Sequence, residues 1–164
     1  MIHFLLLISR QGKTRLAKWF VNVPQKERQK TIKDVSHLIL HRHQKLCNVI
    51  EWRENKLVYK RYASLYFVVC IDKDDNELLQ LEVIHHYVEL LDRYFGNVCE
   101  LDLIFNFHKA YYILDELIIC GELQESSKKA VMRIVAAQDA LMDESKDSSS
   151  LASVGKKAVA SMFA

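Results

Sequence analysis

The stretch KLVYKRYASLYFVVCID, residues 56–72, is a run of aromatic and β-branched residues that neither glycine nor proline interrupts. These residue types favour the pleated surface of a β-strand. A single strand of seventeen residues would far exceed the usual length of ~5–6 residues. The run therefore predicts two strands separated by a sharp bend near Tyr62, Ala63 and Ser64, and that bend is a candidate surface feature.

Three further strands and one helix are predicted in the first half of the chain. The opening MIHFLLLISR has no cation before its apolar part and no small-residue cleavage site after it, so it predicts a first strand rather than a signal peptide. Gly12 then turns the chain into the alternating segment TRLAKWFV. Pro24 is predicted at the N1 position of an amphipathic helix that runs to about His43. CNVIEWR predicts the third strand of an antiparallel meander.

The second half of the chain has the spacing of helices. A helix is predicted from the polar cluster at residues 74–77 to Gly96, since glycine commonly ends a helix. Another is predicted from roughly Leu101 to Cys120, closed by Gly121, and a fourth is capped by Ser126 or Ser127. Strands first and helices after indicate an α+β fold, with a five-stranded antiparallel sheet covered by helices.

Composition indicates one domain and sets limits on its partners. Half of the 164 residues are apolar, which suits a single domain over residues 1–142, followed by a serine-rich tail over residues 143–164 that is expected to be flexible. Lys and Arg number 23 against 21 Asp and Glu, so no basic excess indicates a nucleic-acid partner. No apolar run approaches the ~18 residues that would span a bilayer.

The cysteines are spaced too widely for a metal-binding pair or a disulfide framework. They lie in apolar contexts, which predicts reduced, buried thiols without metal in the cytosol. The four residues are Cys47, Cys70, Cys99 and Cys120.

Motifs that would indicate catalysis or a cofactor are weak. GKT at residues 12–14 matches only the end of a phosphate-binding loop, and the earlier glycine of that loop is missing, so a hairpin turn is favoured. The pairs His41 and His43, and His85 and His86, do not have the spacing that puts two metal ligands on one helix face. We therefore expect no catalytic residue, no cofactor and no metal.

Several motifs of the chain resemble the small (sigma) subunits of the heterotetrameric clathrin adaptor complexes. The family signature is two aliphatic residues, Tyr, a basic residue, four free positions and Leu-Tyr-Phe, and it is present here as LVYKRYASLYF. QGKTRLAKW, EVIHHYVELLDRYFGNVCELDLIFNFHKAYYILDE and GELQESSKK also match. FNFHKAYYILDEL and ELQESSKK resemble the subunit of the trans-Golgi and endosomal adaptor more than that of the plasma-membrane adaptor.

The resemblance implies a longin-like fold, no enzymatic activity and a set of partners. These are a gamma-type large subunit in direct contact, the beta and mu subunits, the cytosolic tails of membrane cargo with [D/E]xxxL[L/I] signals, and clathrin indirectly. It implies a cytoplasmic protein that is peripheral on trans-Golgi network and endosome membranes and on clathrin-coated vesicles. The alternatives are the plasma-membrane sigma subunit and a free-standing longin regulator of membrane fusion.

The resemblance also implies the residues that recognise the dileucine signal. Arg15, together with a basic residue of the large subunit, is similar to the group that faces the acidic residue of the signal. Ser64 departs from the glycine of the plasma-membrane relative, and Lys60 and Arg61 are interpreted as facing solvent or a partner. The residues similar to those that line the two leucine pockets are Ala63, Leu65, Val88, Asn97, Val98, Leu101 and Leu103. From periodicity alone, Val98, Leu101 and Leu103 would be ordinary core.

Overall fold

The computed structural model describes residues 1–43 and 45–143. An antiparallel sheet of five strands has the order β2-β1-β5-β4-β3. Its strands are β1 (Ile2–Ser9), β2 (Thr14–Trp19), β3 (Val49–Trp52), β4 (Asn55–Tyr62) and β5 (Leu65–Asp72). The helices are α1 (Gln25–Leu40), α2 (Glu77–Phe95), α3 (Glu100–Phe105), α4 (Phe107–Leu117) and α5 (128–143). A small hairpin consists of β6 (Ile118–Ile119) and β7 (Glu122–Leu123).

Residues 56–72 form the two strands that their composition predicts. β4 ends at Tyr62 and β5 begins at Leu65, and these two residues pair across the turn. Ala63 has φ 51°, a left-handed conformation that costs a non-glycine residue roughly 1–2 kcal/mol. The predicted sharp bend is confirmed as the two-residue turn of a β-hairpin.

The sheet is covered by helices on both faces, which explains why its central strands have no polar side. Side chains from β1 and β5 that point in alternate directions enter two separate cores, as the period of two requires. The core under α1 includes Leu6, Ile8, Val35, Ile39 and Val68. The larger core, under α2, α4 and α5, includes Leu5, Leu7, Val69, Tyr87, Leu91 and Val131.

Local capping signals locate most of the helix ends. The predicted second helix is confirmed: the side chain of Asn76 accepts a hydrogen bond from the Leu78 amide (2.9 Å), and Gly96 ends the helix with φ 65°. Ser127 caps α5, where its hydroxyl accepts from the Ala130 amide at 3.4 Å. α1 ends three residues before the predicted His43, and Pro24 occupies its N-cap position rather than N1.

The predicted single helix from Leu101 to Cys120 is wrong. The helix is interrupted at Asn106, which separates α3 from α4, and the β6–β7 hairpin follows α4 directly. Gly121 (φ 80°) lies in the turn of that hairpin instead of closing a helix. The Ile2 amide donates to the Gly121 carbonyl at 2.8 Å, so pairing with the first strand, far away in sequence, draws this segment out of the helix.

The prediction of four core thiols is wrong for three of them. All four cysteines lie within the described residues and are free thiols, but only Cys70 is buried, and Cys47, Cys99 and Cys120 are exposed. Burial raises the pKa of the Cys70 thiol to about 12. Cys99 and Cys120 lie at a helix start and in a turn, where packing on one side leaves the side chain open to solvent.

We expect thiol labelling of the native protein with Ellman's reagent to proceed in two phases. The three exposed thiols react quickly at neutral pH, and Cys70 reacts only after unfolding, because it is shielded and almost fully protonated there. The measurement is the stoichiometry before and after adding guanidinium. Four rapid equivalents in the native state would contradict the placement of Cys70 in the core.

Two remaining predictions concern membrane-spanning segments and the C-terminal tail. None of the helices in residues 1–43 and 45–143 is long and apolar enough to cross a bilayer. The predicted tail lies outside the described residues except for Asp143. The division into a domain over residues 1–142 and a tail over residues 143–164 therefore stays a prediction.

Candidate functional site

A cleft of about 240 Å³ lies between the β4–β5 turn and the connection from α2 to α3. Small-molecule sites typically have ~300–1,000 Å³, so this cleft has the size for amino-acid side chains rather than for a cofactor. The lining residues are Tyr62, Ala63, Ser64, Leu65, Phe67, Val88, Asp92, Asn97, Val98, Cys99 and Glu100.

The floor of the cleft is apolar and its rim is open. Leu65 at the start of β5 and Val88 in α2 are 3% and 9% exposed, and Phe67 packs beneath them. Ala63 is exposed at the rim, where its small side chain leaves the floor accessible. Such a surface can bury apolar side chains of a ligand against Leu65 and Val88.

Two consecutive residues with positive φ lead the chain into the opposite wall, which Asn97 and Val98 line. Gly96 (φ 65°) and Asn97 (φ 74°) reverse the chain after α2. Asp92 holds this reversal: its carbonyl accepts from the Gly96 amide at 2.9 Å, and its carboxylate accepts from the Val98 amide at 2.9 Å. The wall is therefore held in place by hydrogen bonds before any ligand binds.

Five of the seven predicted pocket residues line this cleft, and two do not. Leu101 is 59% exposed on α3, and Leu103 is 1% exposed in the larger core. Residues two apart on a helix point away from each other, so one cleft cannot hold both. The resemblance assigned pocket residues by their positions in the sequence, and it gave no information on which way their side chains point. Tyr62, Asp92 and Glu100, by contrast, line the cleft without having been predicted.

Arg15, the predicted partner of an acidic ligand residue, is paired within the chain. Its Nε donates to Glu100 Oε1 at 2.8 Å, and its Nη2 also lies 2.8 Å from that oxygen. Arg15 is in β2 and Glu100 begins α3, so the sheet and the helix bring the two groups together. The positive charge thus lies beside the cleft, but its nearest partner is a carboxylate of this protein.

The histidines and carboxylates of the described chain form no metal centre. No group of three or more His, Cys, Asp or Glu side chains in residues 1–43 and 45–143 is arranged to hold a metal ion. His41 Nδ1 lies 2.8 Å from the His37 carbonyl, and His85 Nε2 lies 3.8 Å from a Glu89 carboxylate oxygen. These rings contact neighbours on their own helices or at a helix end.

Comparison with known proteins identifies the family. Residues 1–142 match the family described as clathrin adaptor complex small chain. The chain belongs to this family. It is therefore a small subunit of a heterotetrameric clathrin adaptor complex.

Similar small chains are found in distant eukaryotes. The AP-1 complex subunit sigma-2 of Arabidopsis thaliana is 69% identical over 92% of this chain and 93% of its own length. The subunit sigma-2 of Dictyostelium discoideum is 64% identical, over 86% and 92% of the two chains. The human subunit sigma-3 is 58% identical, over 88% and 94%. The resemblance to the sigma subunit of the trans-Golgi and endosomal adaptor is confirmed.

The fold of the small chain also has a match among structures. A chain in a homology model of the full-length AP-3 complex, in a stretched open conformation, superposes with a TM-score of 0.70 and 26% identity. The match covers 90% of this chain and 98% of the other. Together with the five-stranded antiparallel sheet, it confirms the predicted α+β longin-like fold.

Proposed function

We propose that this small chain is the sigma subunit of an AP-1-type adaptor and that its cleft receives the leucines of [D/E]xxxL[L/I] signals in cargo tails. Its partners are a gamma-type large subunit, beta and mu subunits and, indirectly, clathrin. It works at trans-Golgi network and endosome membranes. The observation that carries the proposal is the open, apolar cleft in which Ala63, Leu65, Val88, Asn97 and Val98 meet.

A large partner subunit explains the apolar side chains that the chain leaves uncovered. Leu101, Phe105 and Phe107 are exposed where α3 meets α4. Contiguous exposed apolar surface marks an interaction site in soluble proteins. Coverage of this segment by the large subunit gives Leu101 a role at the subunit boundary, next to the cleft rather than inside it.

The geometry supports weak binding of a single signal. Burying two leucine side chains contributes ~1.5–3 kcal/mol each, and an exposed acidic residue near Arg15 adds at most ~1 kcal/mol. The sum of about 3–7 kcal/mol corresponds to affinities from several millimolar to roughly ten micromolar. Efficient retention of cargo then depends on other contacts of the assembled adaptor at the membrane, which raise the effective concentration.

The proposal is tested with the small chain co-purified with a gamma-type large chain. A fluorescent [D/E]xxxL[L/I] peptide is titrated into this pair, and a peptide with both leucines changed to serine is the matched control. Saturable binding of the first peptide alone supports the assignment. Equal binding of both peptides, or failure of the two chains to co-purify, would contradict it.

Removing the carboxylate that pairs with Arg15 should tighten binding of acidic signals. Glu100→Gln keeps the size of the side chain and frees the Arg15 guanidinium for the ligand. Because exposed ion pairs contribute up to ~1 kcal/mol, we expect up to about a fivefold gain in affinity, larger at low salt. The measurement is titration of the acidic peptide and of a peptide with glutamine at its acidic position.

The neutral peptide is the control for this prediction. Its affinity should change little in Glu100→Gln, and Arg15→Ser should weaken only the acidic peptide. An equal gain for both peptides would show that Glu100 acts on the shape of the cleft and not on its charge.

A further inference from the structure

A second cleft lies on the other side of the sheet from the cleft beside the β4–β5 turn, which we call the leucine cleft, and at the same end of β4 and β5. Its volume is about 290 Å³, and it opens between the end of α1 and the sheet. Its lining residues are Ile39, Arg42, Asn48, Tyr59, Lys60, Arg61 and Tyr66. The dileucine proposal makes no use of any of them.

Two arginines supply unneutralised positive charge to this second cleft. Its lining contains no acidic residue, and among the described residues neither Arg42 nor Arg61 forms an ion pair. Arg42 Nη2 donates to the carbonyls of Cys47 (3.3 Å) and Val49 (3.4 Å). These neutral partners orient the guanidinium without cancelling its charge.

Two polar groups of the cleft have no partner in the described part of the chain. Arg42 Nε is buried and makes no hydrogen bond. Tyr59 is only 7% exposed, and none of the hydrogen bonds in residues 1–43 and 45–143 involves its hydroxyl. Among the described residues, the Tyr59 hydroxyl is not one of the buried polar atoms without a partner, so of these two groups it is the one that a ligand accepting hydrogen bonds can reach.

Within residues 1–43 and 45–143, no strand pairs with the edge of β4 at Arg61, beside the same cleft. β3 pairs with β4 only as far as Val49 opposite Val58, and the Tyr59 amide makes one further bond to the Asn48 carbonyl at 2.9 Å. Backbone groups two residues apart point to the same side of a strand. The amide and carbonyl of Arg61 therefore point to the edge that β3 no longer covers, where another strand can add.

We propose that this second cleft binds an extended peptide segment that carries a phosphorylated side chain. The peptide backbone adds to the free edge of β4 at Arg61, as in other strand-addition complexes. The phosphate lies between the guanidinium groups of Arg42 and Arg61 and accepts a hydrogen bond from the Tyr59 hydroxyl. A phosphate offers about two negative charges and three acceptor oxygens, which matches these donors.

The shape of the cleft favours a peptide over a membrane surface. Juxtamembrane segments that bind anionic lipid present clusters of ~4–8 Lys and Arg at the surface. Here two arginines lie in a recess beside an open strand edge. The Lys60 ammonium is 5.2 Å from the centre of the Tyr62 ring, and alternation along β4 directs this side chain to the opposite face.

The test uses the small chain co-purified with its large chain and three fluorescent valine–threonine peptides. The peptides differ only in a central phosphoserine, glutamate or serine. We expect affinity to fall in that order. Arg61→Gln should lower the affinity for the phosphoserine peptide about tenfold, as loss of a charge-assisted hydrogen bond does. The affinity for the serine peptide should not change. Arg93→Gln removes an exposed arginine of α2 that does not line this cleft, so it is the matched control and should bind like the parent.

Additional measurements distinguish binding by strand addition from binding by charge alone and from binding to lipid. N-methylation of alternate amides in the phosphoserine peptide should abolish its binding if the backbone adds to β4. Arg42→Gln should act like Arg61→Gln, and an unchanged melting temperature and intact co-purification show that each variant is folded and assembled.

Three results would overturn the proposal. The first is equal affinity for the phosphoserine and serine peptides. The second is binding of vesicles with anionic lipid that Arg61→Gln removes while the peptides do not bind. The third is loss of the large chain in Arg61→Gln, which would make this edge part of the subunit interface.

Discussion

The Val88→Asp variant is expected to lose almost all affinity for dileucine peptides. Val88 is 9% exposed on the floor of the leucine cleft, and a docked leucine would have to cover the new carboxylate. The loss of one leucine site removes ~1.5–3 kcal/mol, and desolvation of the polar group adds at least ~1 kcal/mol. The sum of about 2.5 kcal/mol or more is roughly a seventyfold loss in affinity, measured by peptide titration.

Two further variants make this result interpretable. Leu78→Asp also places an aspartate in α2, at a position that is 73% exposed, and it should bind like the parent. Ala63→Leu fills the open rim of the cleft from an exposed position, so it should block the peptide without disturbing the core. If Val88→Asp and Ala63→Leu, both folded, bind like the parent, the cleft is not the leucine site.

Leu103→Ser is a different kind of variant. Leu103 is 1% exposed in the larger core and does not line the cleft. Its loss of binding would follow from a loss of stability, because a cavity and a buried hydroxyl both destabilise the fold. It therefore cannot test the pocket.

Gly121→Ala is expected to destabilise the protein by about 2–4 kcal/mol, since both backbone strain and a steric clash contribute. Gly121 has φ +80°, and a Cβ there would lie 2.3 Å from the Ile2 carbonyl oxygen. Relief requires β1 or the β6–β7 hairpin to move, which also disturbs the bond from the Ile2 amide to the Gly121 carbonyl. The measurement is the urea midpoint followed by tryptophan fluorescence.

Gly96→Ala is the matched control for this prediction. Gly96 also has positive φ (+65°), but an added Cβ would meet no heavy atom within 4 Å. It should cost only the strain of the left-handed conformation, about 1 kcal/mol. Equal destabilisation by the two variants would show that the contact with Ile2 does not matter.

Local signals determined most of the elements that the sequence predicts. The run at residues 56–72 has strand composition throughout and no helix-period pattern, and it forms β4 and β5. The left-handed end of α2 at Gly96 and the cap at Ser127 each need only a few neighbouring residues. The family could be identified from motifs, because residues that match in type and spacing do not depend on knowing side-chain directions.

Local signals failed where a distant segment competes. Residues 118–120 continue the predicted apolar helix, yet Ile118 and Ile119 enter a hairpin because Ile2 pairs with Gly121 across the fold. Apolar neighbours around Cys47, Cys99 and Cys120 indicated burial, but these residues are on turns and helix starts at the surface. Hydrophobic neighbours in sequence do not show which side of an irregular segment meets the core.

What the sequence by itself determined is the fold class and the family, and the resemblance supplied Ala63, Leu65, Val88, Asn97 and Val98 as candidate positions. Only the tertiary structure decided that these five share one cleft, that Leu101 and Leu103 lie outside it, and that Arg15 pairs with Glu100. Arg15 and Glu100 are 85 residues apart. Such a contact depends on how β2 and α3 pack, and side-chain direction is set by that packing rather than by residue type or spacing.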